Sequence, residues 1–146
     1  MKSIKISKVK NVKTPTRGTP GSAGIDFYVP EDLQFEISPG KDVCIPSGIR
    51  VNVPEGHALV AFNKSGVALK KNLTVGACVI DEDYQGEIHL HLINAGSKPA
   101  TISSGEKIIQ FLLLPVKYPQ VLVTEDEKLF ISETLRGSGG FGSTGI

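Results

Sequence analysis

Val43-Cys44-Ile45-Pro46-Ser47-Gly48-Ile49-Arg50-Val51-Asn52-Val53-Pro54-Glu55-Gly56-His57-Ala58-Leu59-Val60-Ala61-Phe62 holds three short apolar runs, at 43–45, 49–53 and 58–62. Pro46 and Pro54 stand at run ends, where a missing N–H does least harm to a ladder. Short β-type runs closed by Gly, Pro, Asn and Asp indicate strands. The pattern continues outward through 4–9, 25–29, 33–37, 73–75, 77–80, 87–93, 100–102, 107–115 and 120–124. Pro30, Pro39, Pro99, Pro115 and Pro119 again punctuate it. Runs recurring at about 8–12 residues predict an all-β fold, a sandwich or barrel. A single helix of a turn or two is expected at 65–71. The segment TPTRGTPGS over 14–22 reads as a loop, and no internal repeat stands out. Strand pattern stops near residue 132, so the chain divides into a domain over 1–131 and a C-terminal arm over 132–146.

A chain of 146 residues is long enough for one domain with a real core. Its net charge of +1 marks neither a nucleic-acid nor a membrane-surface protein. No apolar run approaches the ~18 residues of a membrane span. Met1-Lys2-Ser3-Ile4-Lys5 enters directly into alternating residues, and no signal peptide is evident. Cys44 and Cys78 form no C-x-x-C. A reduced, intracellular setting is expected, with both as small core residues. His57, His89 and His91 lack ligand spacing on a helix. His89 and His91 share one strand face and read as plain structural or surface histidines.

The arm ends in Arg136-Gly137-Ser138-Gly139-Gly140-Phe141-Gly142-Ser143-Thr144-Gly145-Ile146. Backbone N–H groups freed by glycine, together with hydroxyls, can close around phosphate oxygens. Arg136 adds a charged fork suited to a phosphate terminus. Phe141 has no local core to fill, which suits stacking on a planar group. These residues read as a flexible clamp for a nucleoside polyphosphate. A plain Gly/Ser linker is the other reading of the same composition. The G-x-x-x-x-G spacing of Gly137 to Gly142 is not a P-loop, because Ser143 stands where the lysine belongs.

Asp81-Glu82-Asp83-Tyr84-Gln85-Gly86 sets three acids and a tyrosine between two apolar strands. A calcium loop fails on register, since its twelfth position would be Leu92. Two readings stay open, an acidic turn and a strand-end carboxylate placed to activate water. Asn63-Lys64-Ser65-Gly66 offers a cation, a hydroxyl and a tight turn after an apolar strand, or an ordinary loop. Gln110 is one amide in an apolar run and must be hydrogen-bonded if buried. It could simply brace a neighbouring loop.

These residues resemble the five motifs of the trimeric dUTP pyrophosphatases (dUTPases). Ala23-Gly24-Ile25-Asp26 looks like the first and Lys64-Ser65-Gly66 the second. Val75-Gly76-Ala77-Cys78-Val79-Ile80-Asp81-Glu82-Asp83-Tyr84-Gln85-Gly86 looks like the third, 105–110 the fourth and 136–145 the fifth. The resemblance implies a jelly-roll-like β-barrel subunit in a homotrimer with shared active sites. It implies hydrolysis of dUTP to dUMP and pyrophosphate, which limits uracil in DNA and supplies dUMP for dTMP synthesis. It also implies Mg²⁺ held mainly by substrate phosphates, with Asp26 in its outer shell. No nucleic-acid or membrane partner is implied, and the compartment would be cytoplasmic, or nuclear or host-cell in a eukaryotic or viral setting.

By the same resemblance, Asp81 activates water and Tyr84 packs on the deoxyribose, excluding a 2′-hydroxyl. The hairpin through Val75, Gly76, Cys78 and Ile80 reads uracil through its backbone. Ser65 and Gln110 hold the α/β-phosphates, and Lys64, as phosphate ligand or brace, and Gly66 also belong to the substrate site. Arg136 takes the γ-phosphate with Gly140, Gly142, Ser143 and Thr144, while Phe141 covers the base. Two departures concern affinity. Lys64 replaces the family's usual arginine and cannot make a bidentate fork. Cys78 replaces its usual glycine, and serves if its side chain points away with negative φ. A solvated carboxylate is a feeble base, so positioning must contribute more than proton affinity. A dCTP deaminase and a nucleotide-sensing module without turnover are the competing functions. The intact Asp81/Tyr84 hairpin argues against the first, and Asp81, Ser65, Gln110 and the whole tail against the second.

Overall fold

The structure, a computed structural model, describes residues 3–142 and Gly145. Among them are β1 (Lys5–Lys8), β2 (Ile25–Tyr28), β3 (Gln34–Ile37), β4 (Asp42–Pro46), β5 (Ile49–Asn52) and β6 (His57–Asn63). Helix α1 (Ser65–Lys71) follows, then β7 (Leu73–Val75), β8 (Val79–Ile80), β9 (His89–Asn94), β10 (Ala100–Ser103) and β11 (Lys107–Pro115). A 3₁₀ turn at Asp126–Lys128 is the only further regular element among the described residues. The all-β expectation holds, and the one helix falls where the sequence places it.

Four antiparallel sheets build the body: β2-β11-β6-β8, β4-β9-β7, β1-β5 and β3-β10. The spine is β11 against β6, in register from Ile109↔Asn63 to Pro115↔His57. On its other side β11 meets β2, with a slip between Lys107 and Ile109. Alternate residues turn inward, and Phe27, Ile45, Leu59, Leu90, Leu92, Ile102, Ile109 and Phe111 are among the buried core. Phe27 and Phe111 pack with ring centroids 4.6 Å apart and planes tilted by 54°, a favoured aromatic arrangement.

Helix α1 stops at Asn72, which takes the left-handed conformation (φ 54°) and returns its N–H to the Ala68 carbonyl. Asparagine tolerates this region better than most residues. Lys70 and Lys71 occupy the last turn, where cations suit the carbonyl end.

Two expectations are overturned. Residues 120–124 form no strand. Val121, Leu122 and Val123 are 89%, 75% and 98% exposed. Strand propensity needs a neighbouring edge to bond to, and no described strand pairs with this segment. Cys44 and Cys78 are both exposed rather than core residues. Cys44 takes an outward position of β4, beside the buried Ile45, and Cys78 lies at a hairpin tip before β8.

Candidate functional site

Asp26 opens the site. It lies on β2 opposite Gln110 of β11, and Gln110 in turn lies opposite Phe62 of β6. Directly opposed antiparallel residues project to one face, so these three form a row. Asp26 is buried at 5% exposure, and a buried carboxylate requires partners. Lys64 Nζ stands 2.5 Å from Oδ1 and Lys107 Nζ 3.9 Å from Oδ2. Lys64, just before α1, is therefore spent on the Asp26 carboxylate.

Gln110 Nε2 donates to the Asn63 carbonyl at 2.8 Å. Gly24 leaves room for this amide, since a Cβ there would lie 2.1 Å from Gln110 Oε1 and 2.9 Å from its Cβ. Asn63 continues the chain of contacts. Its Oδ1 accepts from the Val75 N–H at 2.8 Å, and its Nδ2 donates to Thr74 Oγ1 at 3.3 Å. The first, second and fourth motif-like segments thus meet beside the root of the 75–81 hairpin. Ser65 and Gly66 lie exposed at the start of α1, and open space surrounds Gly66.

The hairpin itself is tied down at three backbone points. Gly76 N–H donates to the His91 carbonyl at 3.1 Å, Ala77 N–H to His91 Nδ1 at 2.8 Å, and Ala61 N–H to the Cys78 carbonyl at 2.8 Å. Ala77 and Cys78 are exposed, and the backbone of Cys78 is not in the positive-φ region. Ile80 pairs with Leu59. That is three residues along β6 from Phe62, about 10 Å at the rise of a strand. Asp81 follows Ile80 and is exposed. Its carbonyl accepts from the Tyr84 N–H at 3.1 Å.

Tyr84 is 41% exposed and its hydroxyl donates to the Glu87 carbonyl at 2.7 Å. The ring lies over Gly86, where a Cβ would come within 2.6 Å of Cζ. Beside this turn, Tyr118 donates to Glu82 Oε1 at 2.5 Å. That bond, with the negative charges of Glu82, Asp81 and Asp83, pushes the Tyr118 pKa up to about 12.

The arm stays apart from these groups within the chain. Residues 117–138 are all exposed, and Phe141 is fully so. Arg136 Nε donates to the Gly139 carbonyl at 2.7 Å, closing a local turn. Gly140 follows half-buried and Gly142 exposed. Ser143 and Thr144 lie outside the described residues. The structure therefore joins Asp26, Lys64, Gln110 and Val75 in one network, and sets Asp81 and Tyr84 together in the turn after β8, away from the described residues of the arm.

Asn63 and His91 are structural members to which the sequence reading gave no part in the site. An amide at the junction of an apolar strand and a turn was the available signal for Asn63. His91 gave none, because its partners Asp42 and Ala77 are remote in sequence. No group of three or more His, Cys, Asp or Glu among the described residues could hold a metal ion. Mg²⁺ accepts such poverty when phosphates supply its oxygens, needing only one or two protein carboxylates. Asp26, already paired with Lys64, is placed for an outer-shell role.

A dUTPase family model matches residues 10–145. The deoxyuridine 5'-triphosphate nucleotidohydrolase of Desulfitobacterium hafniense is 40% identical, covering 100% of this chain and 99% of its own. The enzyme of the same description from Brucella melitensis biotype 2 is 38% identical over 97% of this chain and 90% of its own. Among solved structures, a variant of the Staphylococcus bacteriophage 80alpha dUTPase with dUpNHpp superimposes with a TM-score of 0.88, at 23% identity and full coverage of both chains. A phage phi11 dUTPase variant, described as coordinating a structural Mg(II) ion, has a TM-score of 0.76 at 20% identity, covering 85% of this chain and 97% of that one. With the fold shared and the family model spanning nearly all its length, this chain belongs to the dUTPase family.

Proposed function

We propose that this chain hydrolyses dUTP to dUMP and pyrophosphate, in sites assembled from more than one copy. Supporting this is the meeting of Gly24, Asp26, Lys64 and Gln110 beside the root of the 75–81 hairpin, in a chain of this family.

Asp81 orients a water in line with the α-phosphorus and accepts its proton. The water oxygen bonds to phosphorus as the bridge to the β-phosphoryl group breaks, and pyrophosphate leaves. Positioning dominates, because a carboxylate is a weak base. Tyr84, held by Gly86 and the Glu87 carbonyl, packs against C2′ and excludes a hydroxyl sterically. The hairpin through Val75, Gly76, Cys78 and Ile80 reads the base through backbone groups. An amino group in place of the uracil 4-oxo group leaves a buried donor unmatched, at about 1–3 kcal/mol. Ser65, Gly66 and Gln110 hold the α/β-phosphates. Lys64 acts through Asp26. Mg²⁺ would be held mainly by the substrate phosphates, with Asp26 in its outer shell, and would supply charge neutralisation there. Arg136, Gly140, Phe141, Gly142, Ser143 and Thr144 close over the γ-phosphate and the base.

Ile80 and Phe62 lie about 10 Å apart along the sheet, and residues 117–138 with Phe141 are exposed. A homotrimer supplies the missing proximity. The test is pyrophosphate release from a panel of deoxynucleoside triphosphates and UTP with Mg²⁺. Turnover confined to dUTP and abolished by Asp81→Asn is expected. Ammonia from dCTP, or dUTP binding without turnover, would overturn the reading. For the arm, Asp81→Asn chains are mixed with chains lacking 136–146. If base and arm come from different copies, random mixing completes about a quarter of the sites. No recovery in verified mixed trimers would reject a trans arm.

A further inference from the structure

His91 lies outside all five motif-like segments, yet it holds the hairpin tip. It sits on β9 between β4 and β7. A backbone N–H can only donate, so the bond from Ala77 at 2.8 Å requires a bare Nδ1. The ring hydrogen is then on Nε2, which donates to Asp42 Oδ2 of β4 at 2.8 Å. This neutral tautomer is fixed from both ends. The His91 carbonyl also takes the Gly76 N–H at 3.1 Å. A Cβ on residue 76 would lie 2.1 Å from Nδ1 and 2.4 Å from Cε1, so the glycine backbone rests directly on the ring.

One residue therefore consumes two successive hairpin N–H groups. The next residue, Cys78, is anchored through its carbonyl to Ala61. The tip is clamped on both sides, which fixes where its remaining backbone groups point. A donor withdrawn from the tip matters as much as one presented. Freed from Nδ1, the Ala77 N–H would offer an extra hydrogen-bond donor beside the base, and the neighbouring carbonyls would turn.

We propose that His91 is the positioning residue of the base-reading hairpin, with Asp42 holding its ring in the accepting tautomer. The proposal deepens the function given above and rests on the hairpin as reader of the nucleobase. His91 does not touch the reacting atoms, so its effect belongs in substrate affinity and base choice rather than in the chemical step.

His91→Phe keeps an aromatic ring and removes the acceptor. His91→Asn restores one, because its Oδ1 stands two bonds beyond Cβ, as Nδ1 does. His91→Phe should raise KM for dUTP about tenfold with kcat within about twofold, and should narrow the preference for dUTP over dCTP. His91→Asn should return KM to within about threefold of wild type. Asp42 is exposed, so Asp42→Ala should fold even if His91→Phe does not, and should raise KM about threefold by releasing the ring. Folded His91→Phe with unchanged KM, kcat falling with no rescue by Asn, or an unchanged Asp42→Ala would each overturn the proposal. Backbone amide shifts on adding dUMP separate it from the broader reading. If Gly76, Ala77 and Cys78 do not respond in an enzyme that turns over dUTP, the hairpin does not read the base, and both fail. If they respond identically in wild type and His91→Phe, only the role of His91 fails.

Discussion

Gly24→Ala places a methyl group where the site has no space. The new Cβ would lie 2.1 Å from Gln110 Oε1, 2.8 Å from its Cδ and 2.9 Å from its Cβ. The amide oxygen can swing away, but the Gln110 Cβ is fixed to β11, so β2 and β11 must also separate slightly. Overpacking of this kind costs about 1–3 kcal/mol. Swinging the amide breaks the 2.8 Å bond from Nε2 to the Asn63 carbonyl, a further ~1 kcal/mol. At ~2–4 °C per kcal/mol for a chain near this size, Tm should fall by about 4–16 °C. Because Gln110 is a phosphate ligand in the proposed site, kcat/KM for dUTP should fall at least about tenfold, equivalent to about 1.4 kcal/mol. A thermal melt and initial rates are measured for Gly24→Ala, Gln110→Ala and the double variant. Gln110→Ala removes the two contacts at 2.1 and 2.8 Å and leaves the one at 2.9 Å. The second substitution should therefore recover much of the stability lost to the first, with a coupling above about 1 kcal/mol. Strict additivity, or a Gly24→Ala enzyme of wild-type stability, would refute the contact.

Lys64→Met leaves Asp26 with Lys107 at 3.9 Å as its remaining cation. Stability should drop by about 2–3 kcal/mol in denaturant titration, whereas Lys64→Arg should hold stability to within ~1 kcal/mol. Tyr84→Ala should narrow the preference for dUTP over UTP in initial rates, and an unchanged ratio would place sugar choice elsewhere. Tyr118 should deprotonate near about 12 in an ultraviolet titration, and Glu82→Gln should bring it back toward ~10. A tyrosine raised in the folded state contributes stability below its unfolded pKa of ~10, which is lost as pH rises from there through about 12.

Local pattern reached most of the strands, because an inward-outward alternation and its closing prolines are written within a few residues. The row Asp26–Gln110–Phe62 was not legible. It joins β2, β11 and β6 through pairings whose partners lie 84 and 48 residues apart, from 26 to 110 and from 62 to 110. Likewise the apolar composition of 120–124 resembles a strand, and whether it becomes one depends on an edge that no local window contains. Gln110 was legible because a lone amide in an apolar run demands a partner. That the partner is the Asn63 carbonyl, and that Asn63 in turn holds Val75, is tertiary information. His91 shows the same limit more sharply. Its chemistry follows from Asp42, 49 residues away, and Ala77, 14 away.

The residues after β11 carry the argument for assembly beyond the five motifs. Val121, Leu122, Val123, Leu129, Phe130, Ile131 and Leu135 are each more than half exposed, from 54% to 109%. Monomeric soluble proteins scatter single apolar residues over their surfaces, but they seldom leave such a series on one unsupported segment. A Gly/Ser linker would have needed none of them, so the segment between Pro115 and Arg136 is not merely a tether. A neighbouring copy that covers these side chains would also fix where Arg136 and Phe141 can reach. The polar clamp after residue 136 then has little work in holding the fold. Deleting 136–146 should remove activity and leave Tm nearly unchanged, since it takes away little buried apolar area. Truncating after Pro115 should lower the stability of the assembly itself, seen as dissociation in light scattering. Equal stability of the two truncations would show that the apolar series covers nothing.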